Sequence, residues 1–506
     1  MAAKQPEKQE KDWLAEKSNV KKLKFYHGVI TREDVQILMK ESHTGDFLLR
    51  AALMKTDVIL RVFLCVKIGD QEIHHYLLEF CKDEKFFVKQ EFEKEGKGKI
   101  TVDSQIFKDF DEMIAHFRHH RLACGVRLKS SIPRPRWQMN RQKIIYDETG
   151  ILGEGNFCFV YHGKLRRKDG KDEEIAIKIS KSKGDAVEDS AAIMAARNAL
   201  FAEARIMTTI NYPHIIKLFG ICCDSPPFMV IMEFCKGGSV ENLLEKSGRE
   251  MEEYERQTIL IDACRGMRYL HEKKCVHRDL AARNCLISSD GLIKIADFGL
   301  SRPLAANQTS FKETLKQAPL VWLAPECIQK QSEFSSKSDV WAFGVLTYEV
   351  YFDAQKPFAE EKDNGVIIKN IRKANMPMLE TKTSSPKMDE MLAAIWTKKP
   401  EDRIDSQKCL EFLVDALVAG NMTSVKKMQL NKLTGVSRKK MANTDTDRDR
   451  EDTEYAIDAI TPSFNETKSK FDRKKAATVK RRNRNTVKKK SSQDNTVPKS
   501  GNKESE

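Results

Sequence analysis

Residues 277–299 read HRDLAARNCLISSDGLIKIADFG, and they set Asp279, Asn284 and Asp297 on either side of two apolar runs. The runs CLI (285–287) and LIKIA (292–296) are β-prone and flank the turn Ser289-Asp290-Gly291. That pattern predicts a hairpin that carries two polar loops at its open end.

Outward from this stretch, the 506 residues suffice for two or three domains with a sizeable core. A hydrophobic content of 40% with 32% charged residues fits a globular chain. No apolar run reaches the roughly 18 residues that span a bilayer, and MAAKQPEKQEKDW at the start lacks an apolar signal core. The twelve cysteines form no CxxC pair, which points to reduced thiols in a cytosolic setting. The net charge of +14 is localised, since residues 468–490 hold twelve Lys or Arg and one Asp. The basic balance therefore does not by itself imply nucleic-acid binding.

HRD, AARN and DFG in this order and spacing resemble the catalytic and metal-binding loops of a eukaryotic protein kinase, and of a tyrosine kinase in particular. The resemblance implies that Asp279 accepts the proton of a substrate hydroxyl, and that Asn284 and Asp297 hold magnesium, with manganese as an alternative. Positioning and electrostatics supply most of phosphoryl-transfer catalysis, which is why a base and two oxygen ligands must converge. Within the same frame, ILGEGNFCFVYHGKL resembles the glycine-rich loop over ATP: Leu152, Gly153, Glu154, Gly155, Asn156, Phe157, Cys158, Phe159 and Val160. Cys158 stands where the family has a third glycine. Lys178 in IAIKI matches the lysine on the α- and β-phosphates.

The partner of Lys178 follows from periodicity. Leu200, Glu203, Met207 and Ile210 share one helical face. A carboxylate on an apolar face must be paired, and Lys178 is the candidate. By resemblance, Met232 is the gatekeeper, Glu233 to Cys235 meet the adenine, and Val160, Ala176 and Leu286 sandwich it. Glu326 with Arg403, and Asp339 with the HRD backbone, match two structural contacts of the family.

Tyrosine rather than serine specificity rests on Ala281, where serine/threonine kinases carry lysine, and on Arg283 in AARN. Pro319 before Trp322 fits the substrate-tyrosine platform, although Val321 stands where a basic residue is common.

Residues 25–128 alternate helix, strands and helix. Thr31 is a helix N-cap followed by Val35, Leu38 and Met39 on one face, and DFLLR, VILRVFLCVKI and HHYLLEF are strands. IFKDFDEMIAHFRHH predicts a second helix. FYHGVITRED, GDFLLR and HHYLLEF resemble an SH2 domain, which binds phosphotyrosine. Arg50, charged at the end of an apolar strand, needs an anion that a phosphate supplies. By resemblance, Arg32 and His75 complete the pocket. The loop after Arg50 departs from the pattern: Ala51, Ala52, Leu53 and Met54 replace hydroxyl residues, leaving Lys55 and Thr56. Weakened phosphotyrosine binding is expected.

The organisation expected is a disordered N-terminus (1–22), an SH2 α+β sandwich (23–128), a linker (129–143), a bilobal kinase fold with a β-rich small lobe and a helical large lobe (144–420), and a basic disordered tail (421–506). One SH2 domain joined directly to a kinase domain resembles the Fes/Fer group. With so few residues ahead of the SH2 domain, that group's membrane-curving (F-BAR) region is not expected here. The function implied is a cytoplasmic non-receptor tyrosine kinase using ATP. Its partners are tyrosine-containing substrates and phosphotyrosine proteins. The alternatives are a phosphotyrosine-binding adaptor with a weak or inactive kinase domain, and a serine/threonine kinase. RKKAATVKRRNRNTVKKK in the tail is left open between nuclear import, an anionic membrane patch and a docking arm. Tyr455 in REDTEYAID is a candidate phosphorylation site. Between Asp297 and Glu326 there is no tyrosine; relatives carry one near Thr309 to Phe311. Control is expected to pass to SH2 docking on the small lobe, or to a second kinase acting on Thr309, Ser310 or Thr314.

Overall fold

A computed structural model describes residues 19–419, apart from 55–56, 82–84, 95–97, 103–104, 155–157, 168–169, 181–189, 225–226, 314–318, 330 and 380–384. Lys55, Thr56, Gly155, Asn156, Phe157, Thr314, Tyr455 and the basic run 468–490 lie outside the described residues.

The described chain opens with one helical turn, Asn19–Lys22. Composition predicts disorder through residue 22, so this turn is a correction. Val20 explains it: the side chain is 2% exposed and anchors the turn to the core.

Tyr26–Val29, Phe47–Met54, Asp57–Lys67, Ile73–Phe80, Phe86–Val88 and Ile106–Phe107 follow one another across a six-stranded sheet. The first pair is parallel, because helix α1 (Arg32–Leu38) intervenes as a crossover; the others are antiparallel. α1 starts with a capping box in which Thr31 Oγ accepts from Asp34 N and the Asp34 carboxylate accepts from Thr31 N at 2.8 Å. α2 (Phe110–His119) is capped by Asp109 and buries Phe110, Met113, Ile114 and Phe117. It begins later than the sequence suggests, because Ile106–Phe107 pairs with Phe86–Phe87 as a strand.

The second region begins with a five-stranded antiparallel sheet of Ile144–Glu154, Cys158–Leu165, Glu173–Ser180, Leu218–Cys222 and Met229–Glu233. Alternation along these strands buries Leu165, Ile175, Ile177, Ile179, Met229 and Ile231 together on one side. α3 (Ser190–Met207) accompanies this sheet. Helices follow: α4 (Val240–Ser247), α5 (Glu253–Glu272), α6 (Ser336–Tyr351), α7 (Asn364–Arg372), α8 (Pro386–Ile395) and α9 (Ser406–Ala419). α6 is buried nearly all round, as its apolar sequence requires. A β-rich lobe thus precedes a helical lobe.

The two regions dock tightly. Asp34 of α1 accepts from Arg197 Nη2 of α3 at 2.6 Å and also pairs with Arg205. Arg197, 1% exposed, donates its Nε to Val29 O at 2.9 Å. Val29 N donates to Cys223 O at 2.6 Å, and Tyr26 Oη donates to Asp224 O at 3.2 Å. Asp224 pairs with Arg134 at 2.5 Å. Gly28 sits between them at φ +72°, and a Cβ there would lie 2.2 Å from Cys223 O, so only glycine fits. Residues 129–143, read as a linker, are in contact too: Ile221 exchanges 2.7 Å backbone hydrogen bonds with Trp137 O and Met139 N.

Candidate active site and phosphate pocket

The 277–299 hairpin is present. Cys285–Ile287 pairs with Ile293–Ile295, and Gly291 turns the chain at φ 76°. At its open end the two polar loops are held in strained backbone: Arg278 has φ 71° and Asp297 φ 61°, left-handed values that non-glycine residues rarely adopt. Buried Asp339 over-determines the first of these, since its carboxylate accepts from both His277 N and Arg278 N at 2.8 Å.

Asp279 is held from two sides. Arg283 pairs with Oδ1, and Asn284 Nδ2 donates to Oδ2 at 2.7 Å and to Asp279 O at 2.8 Å. Across the cleft, Lys178 Nζ lies 2.9 Å from both Glu203 oxygens and 3.0 Å from Asp297 Oδ1. Burial alone would lower the Lys178 pKa, but Glu203 and then Asp297 more than offset it and hold it above its ordinary value. Burial likewise pushes Glu203 up, against Lys178. Asp297 is held below the usual carboxylate range because Lys178 and the Gly299 N–H outweigh its desolvation. At neutral pH this is a charged, mutually satisfied cluster.

Glu203 is 4% exposed on α3, and Leu200 and Met207 are buried on the same face. Ala176, Met232 and Cys235 are buried, while Val160 and Leu286 are half-buried. Glu233, at the end of the last sheet strand, pairs with Lys294 at 3.1 Å. Leu152 and Glu154 are exposed, and Gly153, Cys158 and Phe159 are half-buried. A Cβ added at Gly153 would meet nothing within 4 Å, so the space beside the strand end is open. Arg403 reaches Glu326 at 2.8 Å. Arg283 also stacks 4.4 Å from the Trp322 ring, which joins the AARN loop to the segment after Pro319.

In the first region Arg50 is 4% exposed. Its Nη1 donates to Ile30 O at 3.0 Å, its guanidinium lies 4.8 Å from the Phe63 ring, and its Nε is buried with no hydrogen-bond partner among the described residues. Burial, then Arg50 and Arg32, push His75 down to about 4, so the ring is neutral at pH 7; its Nδ1 lies 3.1 Å from Cys65 Sγ. Ala51 is buried, and Arg32 is exposed in the first turn of α1.

Sequence reasoning did not single out several residues that join these parts. Asp34 was legible only as a cap. Glu349 on α6 is buried and accepts from Ala282 N at 3.0 Å and Trp322 Nε1 at 3.3 Å; burial pushes its carboxyl up to about 7. An acidic residue inside an apolar helix run was the available signal. Glu313 left no periodic signal at all.

Residues 147–413 match the family described as "Protein tyrosine and serine/threonine kinase", and residues 25–117 match the SH2 domain. The chain is 30% identical over 390 residues to Fer-related kinase 1 of Caenorhabditis elegans, covering 76% of this chain and 91% of that protein. It is 30% identical to the spermatocyte protein spe-8 of the same species, covering 78% and 72%. Human tyrosine-protein kinase Fer is 33% identical over 65% of this chain and 36% of its own length. This chain belongs to the protein tyrosine and serine/threonine kinase family. It is an SH2-containing tyrosine kinase homologous to the Fer and Fps enzymes. No helix among the described residues is long and apolar enough to cross a membrane.

Proposed function

We propose that this chain is a non-receptor kinase that moves the γ-phosphoryl group of ATP to the hydroxyl of protein tyrosine. The observation that carries the reading is the convergence of Lys178, Glu203 and Asp297 opposite Asp279 and Asn284. In the transfer, Asp279 takes the phenolic proton, the tyrosine oxygen bonds to the γ-phosphorus, and the bond to the β–γ bridging oxygen breaks to release ADP. Arg283 and Asn284 fix the Asp279 carboxylate, and Lys178 is positioned by Glu203 to meet the α- and β-phosphates.

Kinases of this family use a divalent metal, and here Asn284 and Asp297 would hold it. Two oxygen donors on neighbouring loops suit a hard cation that takes its remaining ligands from phosphates and water. Among the described residues no group of three or more His, Cys, Asp or Glu makes an all-protein cage. Once bound, magnesium or manganese neutralises charge on the phosphates. Tyrosine specificity is read from Ala281, a buried alanine where serine/threonine kinases carry lysine, and from the Arg283–Trp322 stack beside Pro319.

The SH2 pocket of Arg50, Arg32 and His75, with Lys55 outside the described residues, takes phosphotyrosine proteins. The proposed limits are 23–128 for the SH2 domain and 144–420 for the kinase domain. Cytoplasmic residence is proposed as well, with contact of residues 468–490 to anionic membrane or the import machinery as the secondary reading. Purified full chain with ATP and Mg2+ or Mn2+ on a peptide library tests the function. Phosphotyrosine product is expected; phosphoserine alone, or no product with either metal, overturns it.

A further inference from the structure

We propose that Glu313 supplies, as a fixed carboxylate, the anion that orders the segment after the DFG motif, so that transfer needs no phosphate on that segment. The proposal rests on the kinase reading and goes beyond it. Arg278 is covalently next to Asp279, and its guanidinium is almost entirely buried in left-handed backbone. Its Nε and Nη2 have no hydrogen-bond partner among the described residues, and its buried charge depends on a counter-charge. Arg278 Nη1 and Arg302 Nη1 both lie 2.9 Å from the same oxygen, Glu313 Oε2.

The surrounding packing fixes that geometry. Ser310–Glu313 pairs as a strand with Ser332–Ser335, opposing Phe311 to Phe334 and Glu313 to Ser332. The Phe311 ring stacks on Phe334 at 5.7 Å. Arg278 lies 5.3 Å from the Phe311 ring and 4.3 Å from the Phe334 ring, and Arg302 lies 4.9 Å from Phe311. One carboxylate thus ties the segment at both ends to the residue preceding the catalytic base. The hydroxyl of Ser310 already donates to Glu333 at 2.6 Å, so a phosphate there would face a carboxylate rather than the two arginines. Glu313 is a positioning residue: it acts on Asp279 through Arg278.

The test uses phosphatase-treated full chain and a tyrosine peptide, with E313Q, E313D and R302Q. The treated wild type is expected to keep its kcat. E313Q should lose roughly 10- to 100-fold in kcat, the worth of one or two charge-assisted hydrogen bonds, with the KM for ATP nearly unchanged. E313D should recover part of the loss. E313Q should also raise amide hydrogen exchange within 297–313, and R302Q added to E313Q should cost little more. An active wild type matched by E313Q in both kcat and exchange overturns the role of Glu313 and leaves the kinase reading standing. So does a wild type that phosphatase treatment reduces to the E313Q rate. A wild type that transfers no phosphate overturns the kinase reading itself, and the proposal with it.

Discussion

The kinase cleft and the SH2 phosphate pocket solve the same problem, placing cations for phosphate, in opposite ways. In the cleft the cation is already satisfied: Lys178 divides itself between Glu203 and Asp297, and Arg283 is spent on Asp279. In the pocket, Arg50 is buried with one guanidinium nitrogen lacking a partner among the described residues, a neutral His75 beside it, and alanines where hydroxyls would sit. A group held by internal pairs keeps its geometry without ligand. An under-satisfied buried cation gains most when an anion arrives. The cleft should therefore be built before substrate binds, whereas the pocket should depend on the phosphate to complete it.

The harshest way to break the cleft is Asp279→Asn. It keeps the shape and removes the base, and a loss of roughly 10² to 10⁴-fold in kcat is expected, read with thermal melting to show that folding is unaffected. Asp34→Asn acts from the other region. It leaves Arg197 buried without its carboxylate, and breaking such a buried pair generally costs about 3–5 kcal/mol. Part of that should be relieved by undocking, seen as lower kcat and as faster amide exchange in α3, which carries Glu203.

Glu349→Gln sharpens the electrostatic side. Burial raises this carboxyl from 4.5 to about 7. A folded pKa above the unfolded one contributes stability that is fully present below about 4.5 and is lost as pH rises through about 7. The variant removes that dependence, so it should melt higher than wild type above pH 7.5, by up to about 3 kcal/mol of stability, and the advantage should vanish below about pH 4.5. Equal melting curves across the range would remove the argument. The smallest effect is expected at the pocket: Ala52→Ser should tighten phosphotyrosine-peptide binding about tenfold by calorimetry, since one hydrogen bond to a charged group is worth about 1.5–3 kcal/mol. No gain would show that the missing hydroxyl is not what limits affinity.

Local order made most of the cleft legible. HRD, AARN and DFG lie within one hairpin, and Glu203 announced itself as a charge on the face of Leu200 and Met207. Arg50 was legible as a charge in an apolar run, although the strand does not end there: it continues through Met54, so Ala51 to Met54, read as a loop, are paired strand residues. What escaped was carried by contacts far apart in the chain. Asp34 has a complete local explanation as the partner of Thr31, and nothing in the sequence says that its carboxylate also holds Arg197. At Phe311 the sequence shows only that no tyrosine stands there; that the ring lies near two arginines gathered by Glu313 depends on a strand pairing with residues 332–335. The requirement for glycine at position 28 comes from Cys223 O lying against it, a contact between residues far apart in the chain. Val20 was lost in a polar run, and Ile106 was absorbed into a helix that Asp109 in fact begins.

The most direct test of a cleft assembled in advance is the first turnover. Phosphatase-treated full chain would be mixed rapidly with ATP, Mg2+ and a tyrosine peptide, and phosphotyrosine followed from the earliest times. Product formation from the outset at the steady rate, independent of enzyme concentration per enzyme molecule, is the result predicted. A lag that shortens as the chain becomes more concentrated would mean that the molecules must first phosphorylate one another, and would contradict the account.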